Sequence, residues 1–437
     1  MYCQEILQKG KSIKPIKISK LGEGDIGKAK DTNMVLLTMK FSLEKLKKRI
    51  LRDKYNSIVF EKGRGRELYL VGGYVRDIFR GIHSKDRDYI VSGNIRSFVK
   101  EIRKITGGTI VELRKEHMIR IALKNGTTLD FSKPMGTLEE DLSKRDFTIN
   151  AIAWSPSSGI IDPYHGIKDI QKRRIHSLAK ENLIADPLRM LRAYRFAAEL
   201  NGYIEKRTRN SIKMLHNTIN ETSSERITLE LFNLLNLKLS AKYLQMAFSD
   251  GVLTDIISIN YSQLDRNIKD IYKLENINKN YSLKIQVILK KIFSQNLIYK
   301  GLLCLELLLK QNTSLTQQSI SNIRMSTKII NRIDMAHKGM SKLREKGKKR
   351  LFDVFLVSKE AAMDVLIIIG KFDLLKDYER FRRIWKRGIL SSEEIIRVTE
   401  VKTGPRIGIM ITELKRAKFE GRIKTKIDAI KFISSII

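Results

Sequence analysis

The sequence predicts an α+β fold in which a mostly antiparallel sheet is followed by a long helical remainder. Between about residues 66 and 135, apolar stretches of strand length alternate with amphipathic stretches of helical length. Beyond residue 180 the strand pattern disappears and apolar residues recur at helical spacing. The chain has only 6 prolines in 437 residues, which suits long helices because proline interrupts the helical hydrogen-bond ladder.

The elements of the sheet are separated by glycine-containing turns. We expect strands at 67–71, 88–91, 109–113, 118–123 and 127–131, and helices at 73–80 and 94–105. Gly107-Gly108 and Asn125-Gly126 supply two of the turns. In the second half we expect successive helices at 186–200, 225–237, 283–294, 300–310, 351–369 and 373–387.

The chain is strongly basic, with 84 Lys and Arg against 48 Asp and Glu and a net charge of +36. An excess this large attracts polyanions, and nucleic acid is favoured over an anionic membrane because no single amphipathic helix concentrates the charge. No apolar run approaches the roughly 20 residues of a membrane span. Cys3 and Cys304 are the only cysteines, which excludes a disulfide framework. We therefore expect a cytoplasmic protein with no membrane and no disulfide-linked partner.

The most informative segment follows the first predicted strand, where Gly72 and Gly73 form a turn ahead of a short helix. A glycine pair allows the backbone to approach a phosphate closely, and a helix N-terminus is positive. Asp86 and Asp88 follow at positions i and i+2 of an extended segment, so their side chains face the same way. Paired carboxylates can hold the Mg²⁺ ions that clamp the oxygens of a phosphoryl transfer. Asp130, which ends another predicted strand, is a candidate third ligand or an ordinary strand-end cap. The pattern indicates nucleotidyl transfer.

These motifs resemble the bacterial tRNA nucleotidyltransferase/poly(A) polymerase family. Gly72-Gly73-Tyr74-Val75-Arg76-Asp77, followed by Asp86-Arg87-Asp88, is similar to the family's Gly-Gly-x-Val-Arg-Asp and, about ten residues later, Asp-x-Asp. The resemblance implies a nucleotidyltransferase head followed by an all-helical neck, body and tail, with Gly72, Gly73 and Arg76 at the nucleotide.

We expect a basic flexible extension at 1–38, a catalytic head at 39–178, a neck with a nucleotide-selecting helix at 179–238 and an RNA-binding body and tail at 239–437. Met39 is a candidate start of the protein.

A second segment, Lys144-Arg145-Asp146-Phe147-Thr148-Ile149-Asn150-Ala151, resembles the family's Arg-Arg-Asp-Phe-Thr-Ile-Asn-Ala. By itself it is a helix boundary with mixed charges. The resemblance implies that Arg145 and Asp146 hold the triphosphate and the ribose. The arginine would use its forked donors and the aspartate would accept from a sugar hydroxyl. Lys144 replaces the family's first arginine and keeps its charge.

A third segment places Asp186, Arg189, Arg192 and Arg195 at helical spacing, so that they share a face. This spacing also fits a capped helix with a solvated basic face. In the family this helix selects the nucleotide. A carboxylate can accept from an exocyclic amine while an arginine donates to the adjacent ring nitrogen. Adenine and cytosine present that pair, whereas guanine and uracil present a carbonyl beside an N–H. Ala185 stands where many family members carry an acid.

Two basic clusters in the second half suit an RNA backbone surface, although each is also typical of a solvated helix face. The first is Lys348, Lys349 and Arg350, and the second, interleaved with Phe381 and Trp385, is Arg382, Arg383, Lys386 and Arg387.

The resemblance implies Mg²⁺-dependent, template-independent addition of nucleotides from ATP and CTP to an RNA 3′ end, most readily completion of the CCA end of tRNA. Two alternatives lie within the family: a poly(A) polymerase, and a tRNA enzyme that adds only A or only CC. From a different class, the chain could be a non-catalytic RNA-binding protein whose head has lost its catalytic activity. The intact Asp86 and Asp88 argue against such a loss.

Overall fold

A computed structural model of the chain describes residues 44–277, 282–311, 320, 322–344, 351–401 and 404–435. They form two compact units, the first ending at Leu215 and the second beginning at His216. The division falls inside the predicted neck, and the domain boundaries proposed from the sequence stay a prediction. Among the residues in these ranges, no helix is both long and apolar enough to cross a membrane.

The first unit is built on a seven-stranded sheet with the strand order β3-β4-β5-β2-β1-β6-β7. The β2–β5 pair is parallel and the other neighbouring pairs are antiparallel, so the prediction of a mostly antiparallel sheet is confirmed. The strands are β1 (Leu68–Val71), β2 (Asp86–Val91), β3 (Thr109–Arg114), β4 (Met118–Ala122), β5 (Thr128–Ser132), β6 (Ala153–Ser155) and β7 (Gly159–Ile161). Two further short strands, β8 (Arg174–Ile175) and β9 (Tyr203–Ile204), pair in parallel apart from this sheet.

Helices connect and cover these strands. They are α1 (44–51), α2 (Lys54–Lys62), α3 (Gly73–Phe79), α4 (Ile95–Thr106), α5 (Leu138–Ser143), α6 (Gly166–Lys172), α7 (Lys180–Ala185), α8 (Leu188–Leu200) and α9 (Lys206–Leu215). A 3₁₀ turn at Thr148–Asn150 precedes β6. The helices predicted at 73–80, 94–105 and 186–200 correspond to α3, α4 and α8, each within two residues at both ends.

Buried aromatic packing determines which way the side chains of β2 face. Tyr89 is fully buried, stacks on Phe131 of β5 with ring centroids 5.1 Å apart, and donates a hydrogen bond to Asn56 Oδ1 at 2.6 Å. Arg87, two residues earlier, is also buried and pairs with Asp53 of the N-cap of α2, its Nε donating at 2.9 Å. Because strand side chains alternate, Asp86 and Asp88 must face the opposite side of the sheet from Arg87 and Tyr89.

The second unit is helical, with one short hairpin. Its helices are α10 (Ser224–Leu235), α11 (Ser240–Ser249), α12 (Val252–Ile256), α13 (Tyr261–Ile277), α14 (Leu283–Leu289), α15 (Tyr299–Leu308), α16 (Thr327–Arg344), α17 (Leu351–Ser358), α18 (Ala362–Ile368), α19 (Leu375–Lys386), α20 (Ser392–Thr399), α21 (Pro405–Phe419) and α22 (Lys426–Ser434). The hairpin consists of β10 (Ile292–Ser294) and β11 (Leu297–Ile298).

Two predicted helices of this unit are broken by turns. The helix expected at 283–294 ends at Leu289, and the hairpin follows because Asn296, at φ 60°, reverses the chain in a left-handed conformation that asparagine tolerates. The helix expected at 351–369 is divided by a 3₁₀ turn beginning at Lys359, which has φ 45°. Positive φ at these residues is incompatible with a continuous right-handed helix.

The core of the second unit buries an acidic residue, Glu306, beside a second carboxyl group, that of Asp364. Glu306 on α15 is fully buried, and within the residues described neither of its carboxylate oxygens has a hydrogen-bond partner. The nearby Asp364 carboxylate, by contrast, accepts from Tyr299 and, through Oδ1 at 3.0 Å, from Arg332. Burial raises the pKa of Glu306 well above its ordinary value, and the neighbouring Asp364 raises it further. Folding therefore favours the protonated form of Glu306.

A proton held on Glu306 makes stability depend on pH. Unfolded Glu306 releases its proton near its ordinary pKa of 4.5, whereas the folded group, whose pKa is raised, releases it only at higher pH. The unfolded state thus binds fewer protons, and the free energy of unfolding falls as pH rises above 4.5. We expect Glu306→Gln to remove this loss and to stabilise the protein by about 1–3 kcal/mol at pH 8, with a smaller gain at pH 5.

Thermal unfolding at the two pH values measures this effect. Glu379→Gln is a matched control, because the Glu379 side chain is 63% exposed and its replacement should leave the pH dependence unchanged. An equal loss of stability at both pH values in Glu306→Gln would contradict the protonation assigned here.

Candidate active site

The turn after β1 is closed against an arginine from a distant segment. Gly72 has φ 71°, a conformation that L side chains rarely adopt, and α3 begins at Gly73. A Cβ on Gly72 would lie 2.5 Å from Nη1 of Arg145, so any side chain there would displace the guanidinium. The glycine therefore makes room for Arg145 beside the turn.

Asp86 and Asp88 lie on one face of β2, as the sequence predicts. The backbone of Asp88 is in register with Val71 at the end of β1 and with Asp130 of β5. Asp86 is exposed, and its Oδ1 accepts a hydrogen bond from Thr128 Oγ1 at 2.6 Å. The two carboxylates thus stand next to the Gly72 turn.

Burial, together with two neighbouring acids, makes the environment of the Asp88 carboxyl unfavourable for a lone anion. Burial raises the pKa of Asp88 to about 6, and although Arg145 and Arg120 lower it, Asp130 and Asp86 raise it. A positive ion between Asp86 and Asp88 would relieve this repulsion. Carboxylate oxygens are the ligands that hard divalent cations prefer, and Mg²⁺ is commonly held by one or two protein carboxylates together with substrate phosphates. The pair fits such an ion.

Asp130 is engaged differently from the other two acids. Its carboxylate accepts two hydrogen bonds from Arg120, from Nε at 2.7 Å and from Nη2 at 2.6 Å. In the portion of the chain that is described, no three acidic, histidine or cysteine side chains are grouped to hold a metal. A third-ligand role for Asp130 would require Arg120 to release it, and that role stays a prediction.

Arg145 is partly buried beside the Gly72 turn. Its Nη1 lies 3.4 Å from the carbonyl of Asn150 and its Nη2 lies 3.6 Å from Asp141 Oδ2. Its Nε is buried, and no partner for it is found among the described residues. A buried donor without an acceptor costs free energy, so an anionic ligand at the Gly72 turn would satisfy it.

Asp146, in contrast, accepts hydrogen bonds from other groups of the protein. Its Oδ1 accepts from the Phe147 amide and from Asn150 Nδ2, both at 2.8 Å, and its Oδ2 accepts from Arg192 Nε and Nη2 at 2.9 and 2.7 Å. Burial opposes ionisation, but Arg192 and the hydrogen bond from Asn150 outweigh it and lower the pKa of Asp146. The carboxylate therefore connects the segment after α5 to α8.

Three predicted nucleotide-binding arginines surround one buried ring. The guanidinium carbons of Arg195, Arg76 and Arg192 lie 4.0, 4.9 and 5.1 Å from the centroid of Phe196. Arg76 donates to Asn150 Oδ1 at 2.6 Å and, through Nε, to the adjacent Asp77 carboxylate at 3.0 Å.

The same network reaches the end of α8 through residues that sequence reasoning missed. Arg80 donates to Asp77 and to Glu199, both at 3.0 Å, and Glu199 also pairs with Arg195. Burial opposes ionisation of Glu199, but the nearby arginines lower its pKa. The four-residue spacing of Arg195 and Glu199 was a signal for this pairing. In this structure the network joins α3 to α8.

Asp186 and Arg189 come together at the start of α8. The spacing predicts Asp186 as the N-cap and Pro187 as the first helical residue, but Pro187 is the N-cap and α8 begins at Leu188, so Asp186, with extended dihedrals, lies one residue before the cap. Arg189 Nε lies 3.9 Å from Asp186 Oδ2, and both side chains are only partly buried. Burial lowers the pKa of Arg189 below its ordinary value. The pair offers an acceptor and a donor side by side.

Two RNA-binding clusters were predicted. The first, formed by Lys348, Lys349 and Arg350, lies outside the described residues. The second is exposed and comprises Arg382, Arg383 and Lys386 on α19 and Arg387 directly after it. Trp385, among them, stacks on Phe381 with centroids 5.5 Å apart, and Lys415 Nζ lies 4.2 Å from its ring. The aromatic residues thus support a positively charged helix surface.

Comparison with known proteins connects both units to RNA-modifying enzymes. Residues 68–176 match the family described as the poly A polymerase head domain, and 203–258 match a probable RNA and SrmB-binding site of polymerase A. A CC-adding tRNA nucleotidyltransferase of Synechocystis is 28% identical over 391 residues, 84% of this chain and 93% of the relative. A CCA-adding enzyme of Francisella tularensis is 29% identical over 336 residues, 71% of this chain and 86% of the relative.

Solved structures agree on the fold. The Thermotoga maritima CCA-adding enzyme in complex with tRNA superposes with a TM-score of 0.69 at 21% identity, covering 90% of this chain and 98% of that one. A CCA-adding enzyme in complex with CTP gives a TM-score of 0.70 at 22% identity, covering 90% and 96%.

Proposed function

The chain belongs to the bacterial tRNA nucleotidyltransferase/poly(A) polymerase family, and from that premise we propose that it extends the 3′ end of tRNA with nucleotides from CTP and ATP. The observation that carries the proposal is the convergence of Asp86, Asp88 and Arg145 at the Gly72 turn. This places two candidate metal ligands beside a buried guanidinium donor. Metal ions and cationic side chains are the groups that stabilise the phosphate charge during such a transfer.

In this proposal Arg145 binds the triphosphate. Its buried Nε, which has no partner among the described residues, gains a phosphate oxygen as acceptor, and Gly72 leaves room for the Arg145 guanidinium beside the turn. Asp86 and Asp88 hold the divalent ion that members of the family use, and we propose Mg²⁺ because the ligands are carboxylate oxygens. When bound, the ion stabilises the charge that develops on the transferring phosphoryl group.

Asp186 and Arg189 select the base. Asp186 accepts from the exocyclic amine of adenine or cytosine while Arg189 donates to the adjacent ring nitrogen. Guanine and uracil would place a carbonyl against the carboxylate and an N–H against the guanidinium, leaving buried polar groups unpaired. Arg76, Asp146, Arg192 and Arg195 stabilise this arrangement through the network around Phe196, so we propose that they position the nucleotide-binding groups.

The basic surface of α19 is proposed to contact the tRNA backbone. Its three arginines and its lysine are exposed at the C-terminal end of this helix, and phosphate contacts of this kind supply affinity without sequence preference. A tRNA substrate also favours a cytoplasmic location, which we include in the proposal.

Three primers distinguish the possible products. Purified protein with Mg²⁺ is given tRNA ending before the CCA, tRNA ending in CC, or an unrelated oligoadenylate, each with single triphosphates. Ordered addition of C, C and A that then stops is the expected result. Addition that stops after CC would identify a CC-adding enzyme, a class represented among the relatives, and growth of A alone on the CC-ending tRNA would identify an A-adding enzyme.

Two other outcomes contradict the proposal. Long A tails on every RNA would identify a poly(A) polymerase. Tight tRNA binding without any incorporation would identify a non-catalytic RNA-binding protein.

A further inference from the structure

Asn182, on α7, connects two arginines of the proposed site. Its side-chain Nδ2 donates to the carbonyl oxygens of Ser143 and Arg145, both at 2.7 Å. Its own backbone carbonyl accepts from Nη1 of Arg189 at 3.1 Å. No motif considered in the sequence analysis includes Asn182.

The side-chain bonds of Asn182 fix the end of α5. Ser143 is the last residue of that helix, so its carbonyl is one of those that lack a partner within the helix. By donating to it and to the carbonyl of Arg145, Asn182 holds the backbone from which the Arg145 side chain extends to Gly72. The side-chain amide of Asn182 therefore fixes the position of the Arg145 backbone, from which the proposed triphosphate-binding side chain extends.

The backbone bond of Asn182 acts on the other arginine. Arginine has a flexible side chain, and holding it in one orientation costs side-chain entropy. Anchoring Nη1 of Arg189 at the Asn182 carbonyl reduces the orientations open to its other donors while Nε remains 3.9 Å from Asp186. Discrimination between bases by hydrogen-bonding pattern requires donors in fixed positions.

We propose that Asn182 is a positioning residue that holds Arg189 in a fixed relation to Arg145, so that a base is read only when its triphosphate is correctly placed. The inference rests on the proposed function, because it assumes that these arginines bind base and triphosphate. It adds a specificity-determining residue that contacts neither the base nor the triphosphate.

The test compares Asn182→Ala, which loses both side-chain donors, with Asn182→Gln, which keeps an amide. Steady-state incorporation is measured with CTP, ATP, UTP and GTP. We expect Asn182→Ala to raise the KM for CTP and ATP about tenfold and to increase UTP use relative to CTP by a similar factor. Asn182→Gln should recover part of both losses.

Asn267→Ala is a matched control. The Asn267 side chain also donates to two backbone carbonyls, those of Leu308 and Lys310 at 2.9 and 2.7 Å, but in the second unit. Its replacement should lower the melting temperature and leave the UTP/CTP ratio unchanged.

The outcomes separate this inference from the function on which it rests. If Asn182→Ala and Asn182→Gln lose only stability and keep the wild-type UTP/CTP ratio, Asn182 is merely structural and the inference is overturned. If the wild-type protein incorporates no nucleotide, the proposed function itself fails. Should Asn182→Ala not fold, the ratio measured for Asn182→Gln decides, since its longer side chain shifts the anchor and should still relax discrimination.

Discussion

Replacing Asp88 with alanine is expected to abolish nucleotide incorporation, with a loss of about a thousandfold or more in kcat, corresponding to the several kcal/mol that a metal ion supplies to phosphoryl transfer. Asp88 faces the Gly72 turn from the centre of the sheet. Asp86→Ala should have a comparable effect because the two carboxylates share the ion. Single-turnover incorporation of CTP into tRNA lacking its CCA end, with Mg²⁺ supplied, measures the loss.

Binding of tRNA is the control for this prediction. The proposed RNA surface lies on α19, so both variants should keep near wild-type affinity for tRNA. Near-normal turnover in either variant would remove Asp86 and Asp88 from the metal site.

Asp130→Asn is an informative companion to these variants. A loss equal to that of Asp88→Ala would support Asp130 as a third ligand. A much smaller loss would restrict Asp130 to its pairing with Arg120.

Replacement of Arg189 with alanine is expected to relax the choice of base. A well-formed bidentate contact is worth about 1–3 kcal/mol of discrimination between bases, so the preference for CTP over UTP should fall by about fivefold to a hundredfold. Asp186→Asn should act in the same direction, since an amide can donate to the carbonyl of uracil or guanine. Competition between labelled CTP and UTP on one tRNA primer measures the ratio directly.

Arg207→Ala is the matched control for charge. Arg207 is exposed on α9, and its loss removes the same positive charge from the same unit without touching the pair. If both Arg189→Ala and Asp186→Asn kept strict selection of A and C, this pair would not be the base selector, whatever the family.

Local periodicity in the sequence was sufficient to predict a mostly antiparallel sheet and the shared face of Asp86 and Asp88. Alternation of side chains along an extended segment places Asp86 and Asp88 on one face whatever packs around them. A glycine after a buried strand is required where φ is positive, and Gly72 has that conformation. The helices α3, α4 and α8 follow from apolar spacing over one or more turns, which is a local property of the chain.

The short interruptions in the second unit could not be predicted in the same way. The hairpin of β10 and β11 lies in an apolar stretch of the sequence. A short apolar run of this kind is compatible with a helix and with a strand. Contacts with the rest of the unit decide between them, and Leu297 is buried there. Local propensity is too weak a preference to determine such a segment.

The sequence by itself determined the class of chemistry, because that chemistry depends on residue types at short spacing: a glycine turn, two alternating carboxylates, and an acid and an arginine one helical turn apart. Only the tertiary structure decided which charges are available to a ligand. Arg120 holds Asp130, Arg192 holds Asp146, and Asn182 joins the backbone at Arg145 to the side chain of Arg189. These partners are 7 to 46 residues apart along the chain. Whether a charge is paired depends on distances of a few ångströms, which folding sets and which linear spacing cannot express.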